Sequence, residues 1–490
     1  MKMRTNREGE GNHMTPVWKR TSRLATVILA VGFAVALAPA SRAEDKPSAQ
    51  PAAQPAAASS SAAETQQRLA ELEKEVSALV QEIATLKESD AAGMKTAAYH
   101  PDAAQASAAA APEKVTLAGL LGSTTISGFV DTYYGYNYNH PFDNNSGFRF
   151  FDQKTNTFGL NMAEMIVDKA PDAMSTEGRF GYHVAAGYGQ AASVVNGSDI
   201  AGDGSAFYVK EAYGSYLAPI GKGLKIDVGK FVTPMGNEVI ETNANWNYSR
   251  GLLFYYAIPY FHFGARATYT FNPKWTLTAL VVNGWNNSFI SHEGGTGQSS
   301  GLTYHGQLAW TPNAKWSVTS MYMAGPVIDA YPYVSGKYSA ITDWKQLSDT
   351  IIAYTPNSKW AFALDGDYGF GPKNYSCEGS CVVAPPKIKW WGAAGYAKYN
   401  FNAKSNFAVR YEYYGDPAGY TGLVFGDSGH AQEVTGTYSY NLTSGLLVRG
   451  EYRYDFASDP IFLKGLYGAV KEQNTATLGL VYSFSSANAK

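Results

Sequence analysis

Between Leu446 and Phe456 charged residues fall at every second position: Arg449, Glu451, Arg453 and Asp455 alternate with Val448, Gly450, Tyr452 and Tyr454. Successive side chains of a β-strand point to opposite faces, so this spacing predicts a strand with one ionic and one oily face. The segment Phe407–Tyr414 repeats it, with Arg410 and Glu412 set against Val409, Tyr411 and Tyr413. Asp365 and Asp367 oppose Phe362 and Leu364, and Lys225 and Asp227 oppose Leu224, Ile226 and Val228; the same parity puts Arg266 and His262 on the polar side. Alternating segments of about ten residues, recurring towards the C-terminus, are the pattern of transmembrane strands.

A bilayer supplies no hydrogen-bond partner to the backbone, so only helices and closed barrels span it. An Arg or Lys held against lipid at mid-depth costs about 2–4 kcal/mol, so a row of ions on one face must turn to the lumen. A soluble β-sandwich with one wet face shares the alternation. Here the opposite face is dominated by Tyr, Trp, Phe, Val and Leu, with aromatics gathered near strand ends as in interfacial girdles, which favours the membrane barrel.

The turns argue the same way. Phe271-Asn272-Pro273-Lys274-Trp275, Trp310-Thr311-Pro312-Asn313-Ala314-Lys315-Trp316 and Tyr354-Thr355-Pro356-Asn357-Ser358-Lys359-Trp360 are versions of one hairpin connection, with weaker copies at Asn400–Lys404 and Asn441–Gly445. Pro and Asn pre-set turn dihedrals and stop a ladder. Longer Gly/Asn/Ser-rich loops alternate with them, at about 287–300, 326–344, 371–386, 416–430 and 457–472. The expected fold is all-β: a transmembrane antiparallel barrel of about 16 strands, an even number that returns both ends to the periplasmic side.

The longest connection, at about 233–261, falls between the fifth and sixth strands. In sixteen-stranded outer-membrane barrels the loop in that place folds into the pore, so by position this one is expected to constrict the lumen. It carries Glu238, Glu241 and Arg250. Facing wall residues Arg266, Arg410, Arg449 and Arg453, those charges would set a transverse field that filters by charge and size. Lys225, Asp227, Asp365, Asp367, Glu412, Glu451 and Asp455 are expected to line the rest of the pore. A loop packed on the surface with solvated charges is the competing reading.

The N-terminal part differs in kind. Lys19, Arg20 and Arg23, the apolar run Leu24–Ala38 and Ser41-Arg42-Ala43 read as a signal peptide over residues 1–43, with cleavage expected after Ala43 and Met14 a better-placed start than Met1. An Ala/Pro/Ser linker follows over 44–63. In 64–90, Leu69, Leu72, Val76, Leu79, Ile83 and Leu86 recur at alternating spacings of three and four, the seam of a short coiled-coil helix, expected in the periplasm. A lone amphipathic helix is the competing reading. A second Ala-rich linker, 91–119, leads to the barrel, 120–490.

Composition changes little in this picture. With 490 residues, Gly 49, Tyr 35, 16% charged residues and a net charge of −2, the chain offers no basic block for nucleic acid. Its two cysteines, Cys377 and Cys381, are expected to close a small loop disulfide in an oxidising compartment. No further His or Cys stands beside them to complete a zinc site, and neither a metal nor a cofactor is expected.

Several motifs taken together resemble the OmpL-like, porin-2 type family of β-barrel porins. Gly128-Phe129-Val130-Asp131-x-Tyr133-Tyr134-x-Tyr136-Asn137 is similar to its first strand and Val228-Gly229-Lys230-Phe231 to its fifth. Asn245-Trp246-Asn247-Tyr248-Ser249-Arg250 and Val282-Asn283-Gly284-Trp285-Asn286 are similar to its central signatures. The resemblance covers about 120–484 and implies an outer-membrane channel for small hydrophilic solutes or ions. Leu478, Leu480, Tyr482 and Phe484 look like the final-strand signal read by the barrel-assembly machinery, although Ser485–Lys490 follow the aromatic that usually ends it. Expected partners are outer-membrane lipid, small solutes, the assembly machinery and further copies of the chain, as trimer or dimer.

Two other functions compete. A barrel plugged by its long loop would serve as an envelope tether. An outer-membrane hydrolase would need a nucleophile, and Gly297-Gln298-Ser299-Ser300-Gly301 matches G-x-S-x-G, but it precedes a strand where a nucleophile elbow follows one. His183 and His305 have lumen parity and are explained as pore lining.

Overall fold

The computed structural model describes residues 122–488 except 291–297, 331–332, 335–336, 339–340, 374, 379, 384–387 and 423–428. The signal peptide, both linkers and the heptad seam lie outside the described residues.

Sixteen long strands run in order: β1 (Thr125–Asn137), β2 (Thr157–Lys169), β3 (Phe180–Tyr188), β4 (Phe207–Ala218), β5 (Leu224–Val232), β6 (Phe261–Asn272), β7 (Trp275–Val282), β8 (Thr303–Asn313), β9 (Trp316–Ala330), β10 (Ile341–Tyr354), β11 (Trp360–Phe370), β12 (Lys389–Asn400), β13 (Ser405–Gly415), β14 (His430–Asn441), β15 (Leu446–Ala457) and β16 (Glu472–Ser485). Each pairs antiparallel with its neighbours, and β1 closes on β16 with Thr132 opposite Leu480. The ring has no free edge, so its ladder satisfies the backbone without water. It is the expected closed barrel of sixteen strands.

Parity holds around the ring. Arg449, Glu451, Arg453 and Asp455 are buried inside, while Tyr452 is half exposed outside. Leu364, Leu478 and Val228 are about as exposed on the outer face, where lipid would cover them. Among the described residues no helix is long and apolar enough to cross a membrane.

The repeated turn has a mechanism. In four of the five copies an Asn side-chain oxygen accepts the N–H two residues on: Asn272 from Lys274, Asn313 from Lys315 and Asn357 from Lys359 at 2.9 Å, and Asn402 from Lys404 at 2.8 Å; in the fifth the Thr443 hydroxyl accepts the Gly445 N–H. Such Asx turns reverse the chain in few residues. Tryptophans flank them, Trp275 stacked on Trp310 at 5.6 Å and Trp316 on Tyr354 at 4.1 Å, forming one girdle.

The long connections hold more structure than their composition predicts. Three contain two-stranded hairpins, at Tyr333–Tyr338, Tyr375–Val383 and Phe462–Val470, and the loop after β3 contains a short helix, α1 (Gln190–Gly197). The strands also run further than expected: β9 extends to Ala330 and β10 starts at Ile341, so the connection predicted at 326–344 is shorter. Backbone pairing puts Cys377 directly opposite Cys381; their side chains lie outside the described residues.

Candidate constriction in the barrel lumen

The connection between β5 and β6 turns into the barrel. Gly236, at φ +85°, makes the first bend; a Cβ there would meet the Ile258 side chain at 2.5 Å. The bend aims Gly236 N–H at Asp349 of β10 (2.6 Å) and Asn237 N–H at Asp365 of β11 (2.9 Å). From there the loop crosses to the far wall. Tyr248 donates its N–H to Glu451 of β15 at 2.6 Å and its hydroxyl to Asp131 of β1 at 2.8 Å. Its ring packs where β16 has Gly479, whose Cβ would lie 2.4 Å from the ring.

Three of the predicted wall arginines meet this loop. Arg410 contacts Glu238 Oε1 at 2.5 Å and also donates to the Ser249 carbonyl and to Glu433 of β14. Arg449 donates to the carbonyls of Thr242, Asn245 and Asn247. Arg453 reaches the carbonyl of Arg250 at 2.6 Å and pairs with Asp455. Glu412 accepts the N–H of Leu252, and Glu238 Oε2 accepts that of Gly251. Charge-assisted bonds of this kind are the stronger class, and here they hold loop backbone that belongs to no strand ladder.

Other predicted residues sit elsewhere in the lumen. Arg266 pairs with Asp227, directly opposite on β5, and lies over the Phe231 ring. It is five residues from Phe261, where the loop returns, so roughly 17 Å of strand separates it from the loop's end. Lys225 also turns to Asp227, at 3.5 Å. Glu241 pairs with Lys210 of β4 and not with the arginines. Arg250 donates to the carbonyls of Ile240 and Tyr248 and lies over Phe151. Of the expected meetings of loop and wall charge, Glu238 with Arg410 is present, whereas Glu241 and the Arg250 side chain bond elsewhere and Arg266 pairs within the wall.

The loop also brings apolar mass. Phe254, Tyr255 and Tyr256, on a single π-helical turn (Leu253–Ala257), pack with Phe150 and Phe151 from the loop after β1. Wall residues Met321, Met323, Leu347 and Trp390 complete one buried cluster with them. Burial raises the phenols of Tyr255, Tyr256 and Tyr260, which stay neutral. These side chains occupy the barrel interior at the level of the loop.

A family model described as "Putative beta-barrel porin-2, OmpL-like" matches residues 123–484. The chain belongs to this family. It is an outer-membrane diffusion channel, as the strand number and the sequence resemblance imply. A search of curated proteins finds no match. Among solved structures, this porin is similar to the outer membrane channel DcaP of Acinetobacter baumannii (12% identity, 74% of this chain and 97% of that one, TM-score 0.49). It is also similar to an anion-selective porin from Comamonas acidovorans (12%, 74% and 99%, TM-score 0.48) and to Salmonella typhi OmpF in complex with daunomycin (11%, 74% and 97%, TM-score 0.48).

Sequence parity misses several ions of the porin lumen. Glu433 bridges Arg410 and Arg453, Asp131 receives Tyr248, and Lys210 holds Glu164 (2.9 Å) as well as Glu241. The G-x-S-x-G serine, Ser299, accepts the N–H of Trp285. His183 instead binds Asp168 and Glu211.

Proposed function

We propose that loop 233–260 is the gate and filter of this porin, and that small hydrophilic solutes or ions pass where it leaves the wall. One observation carries the reading: the loop is bonded to strands on opposite sides of the ring, so any solute crossing the barrel must pass it. Glu238, Glu241, Arg250, Arg410, Arg449 and Arg453 form the constriction. Arg266, Lys225 and Asp227 line the lumen beyond it, and Asp365, Asp367, Glu412, Glu451 and Asp455 line its wall.

The test is reconstitution in planar bilayers. Discrete, reproducible openings support a channel, and replacing Glu238 and Glu241 by Gln must then change ion selectivity. Unchanged selectivity would remove the loop as filter. The aromatic packing of Phe254–Tyr256 in the lumen favours a second reading, a plugged barrel that tethers the envelope; it predicts no openings.

The remaining roles follow from this one. The barrel works as a passive, non-enzymatic channel without cofactor, assembles into a homo-oligomer in outer-membrane lipid, and reaches it through export and the barrel-assembly machinery. The heptad segment stands in the periplasm. A Cys377–Cys381 disulfide would pin the tip of its hairpin.

A further inference from the structure

On the lumen face of the wall, His305 of β8 lies directly opposite Met323 of β9. Residues so paired have Cβ atoms about 4.5–5.5 Å apart, which brings the imidazole and the thioether together. Their chain neighbours Tyr304 and Tyr322 point outward and are half exposed, whereas His305 is 4% and Met323 2% exposed. Both ring nitrogens of His305 lack a hydrogen-bond partner among the described residues. Buried polar side chains almost always find a partner, so an imidazole left in this state calls for one.

The surroundings supply sulfur. Met321 stands two residues from Met323 on the same face, and Met235 of the loop belongs to the same buried cluster as both. Its place is fixed from either side: the Thr233 hydroxyl bonds His262 Nε2 of β6 at 3.1 Å, and the Gly236 N–H reaches Asp349, the residue opposite Met321. The chain at Met235 is thereby carried across the wall between β6 and β10, over the strands that bear His305 and the two methionines. His262, with its ring 6.0 Å from that of His305, is engaged at both nitrogens, by Thr233 and by the Gly284 carbonyl. The uncommitted imidazole is His305.

We propose that His305 and Met323, joined by Met321 and by Met235 of the loop, bind a soft monovalent metal ion of the copper(I) and silver(I) class. Thioethers are soft ligands that select such ions, and a neutral imidazole nitrogen completes the set. Among the described residues no three His, Cys, Asp or Glu come together as a metal site, so harder ions find no comparable group of ligands. The ion needs no preformed cavity, because an unbranched methionine side chain with three rotatable bonds can swing its sulfur onto a metal. Sequence spacing gives no sign of the site, since its ligands come from two strands and a loop. It stands on the wall whether or not the barrel opens.

Calorimetric titration of the full detergent-solubilised protein with silver nitrate in chloride-free buffer tests it, with zinc nitrate as a parallel arm. Cys377→Ser and Cys381→Ser are present throughout, so that no thiol competes for silver. One saturable silver site is expected, at least tenfold weaker after Met323→Leu and after His305→Phe, with zinc bound more weakly than silver. Should His305→Phe fail to fold, Met323→Leu, which conserves apolar volume, decides alone. Absence of a saturable silver site, equal affinity in the parent and the variants, or zinc bound as tightly as silver would each overturn the proposal. Bilayer currents separate this site from the channel: binding without openings removes the channel and leaves the site, and openings without binding remove the site alone.

Discussion

Glu238, at the start of the lumen loop, stands 2.5 Å from the guanidinium of Arg410 on β13, and both side chains are buried. Its second oxygen accepts the N–H of Gly251 at 2.6 Å, so one carboxylate ties the loop to the wall and to itself. Breaking a buried pair by removing one partner costs about 3–5 kcal/mol. Glu238→Gln is expected to lower the unfolding temperature of the barrel and to increase mean conductance by freeing the loop. Thermal melts and single-channel records read the two effects separately.

Tyr248 tests the opposite end of the loop. It is fully buried, donates to Asp131 and fills the space that Gly479 leaves on β16. Gly479→Val places a side chain in that space and should displace the loop, opening residues 233–260 to limited proteolysis while the barrel stays folded. Tyr248→Phe keeps the ring and loses one bond, at a cost of about 1–3 kcal/mol for Asp131 Oδ1, while Oδ2 keeps Asn161 and Thr242. Proteolysis should be fast for the first variant and near wild type for the second.

Barrel parity makes a prediction that involves no pore chemistry. Leu364 points outward and Thr268 inward, where it bonds Thr278. Leu364→Arg should cost about 2–4 kcal/mol against lipid and Thr268→Arg little. Urea titration of folding into lipid vesicles measures both, and equal costs would contradict the assigned faces.

Strands β13 and β15 are legible in the sequence because ions and oily residues alternate along them without interruption. Asp349 is hidden because Ser348 and Thr350 on its flanks are also polar, and the period blurs. Glu433 sits beside Gln432, an outward residue whose amide oxygen accepts the Tyr411 hydroxyl at 2.6 Å, so neighbouring polar residues again mask two faces. Lys210 escapes for a different reason. The register of β3 with β4 slips there, pairing Ala185 with Glu211 and Ala186 with Val209, and the resulting bulge turns both Lys210 and Glu211 to the lumen.

The apolar plug is the least legible part. Met321, Met323 and Leu347 have lumen parity, but an apolar residue facing a watery pore conflicts with the expected polar interior. They become intelligible only when loop 233–260 is packed against them. The loop's position between β5 and β6 is readable from strand counting, whereas its depth depends on long-range contacts that no local pattern encodes.

If loop 233–260 governs passage through this barrel, removing it must change the current. Planar-bilayer recording of the wild type beside a variant lacking residues 239–257 measures that change. Discrete openings are expected from the wild type and larger, less selective ones from the deletion. Equal conductance from the two proteins, or silence from both, would contradict it.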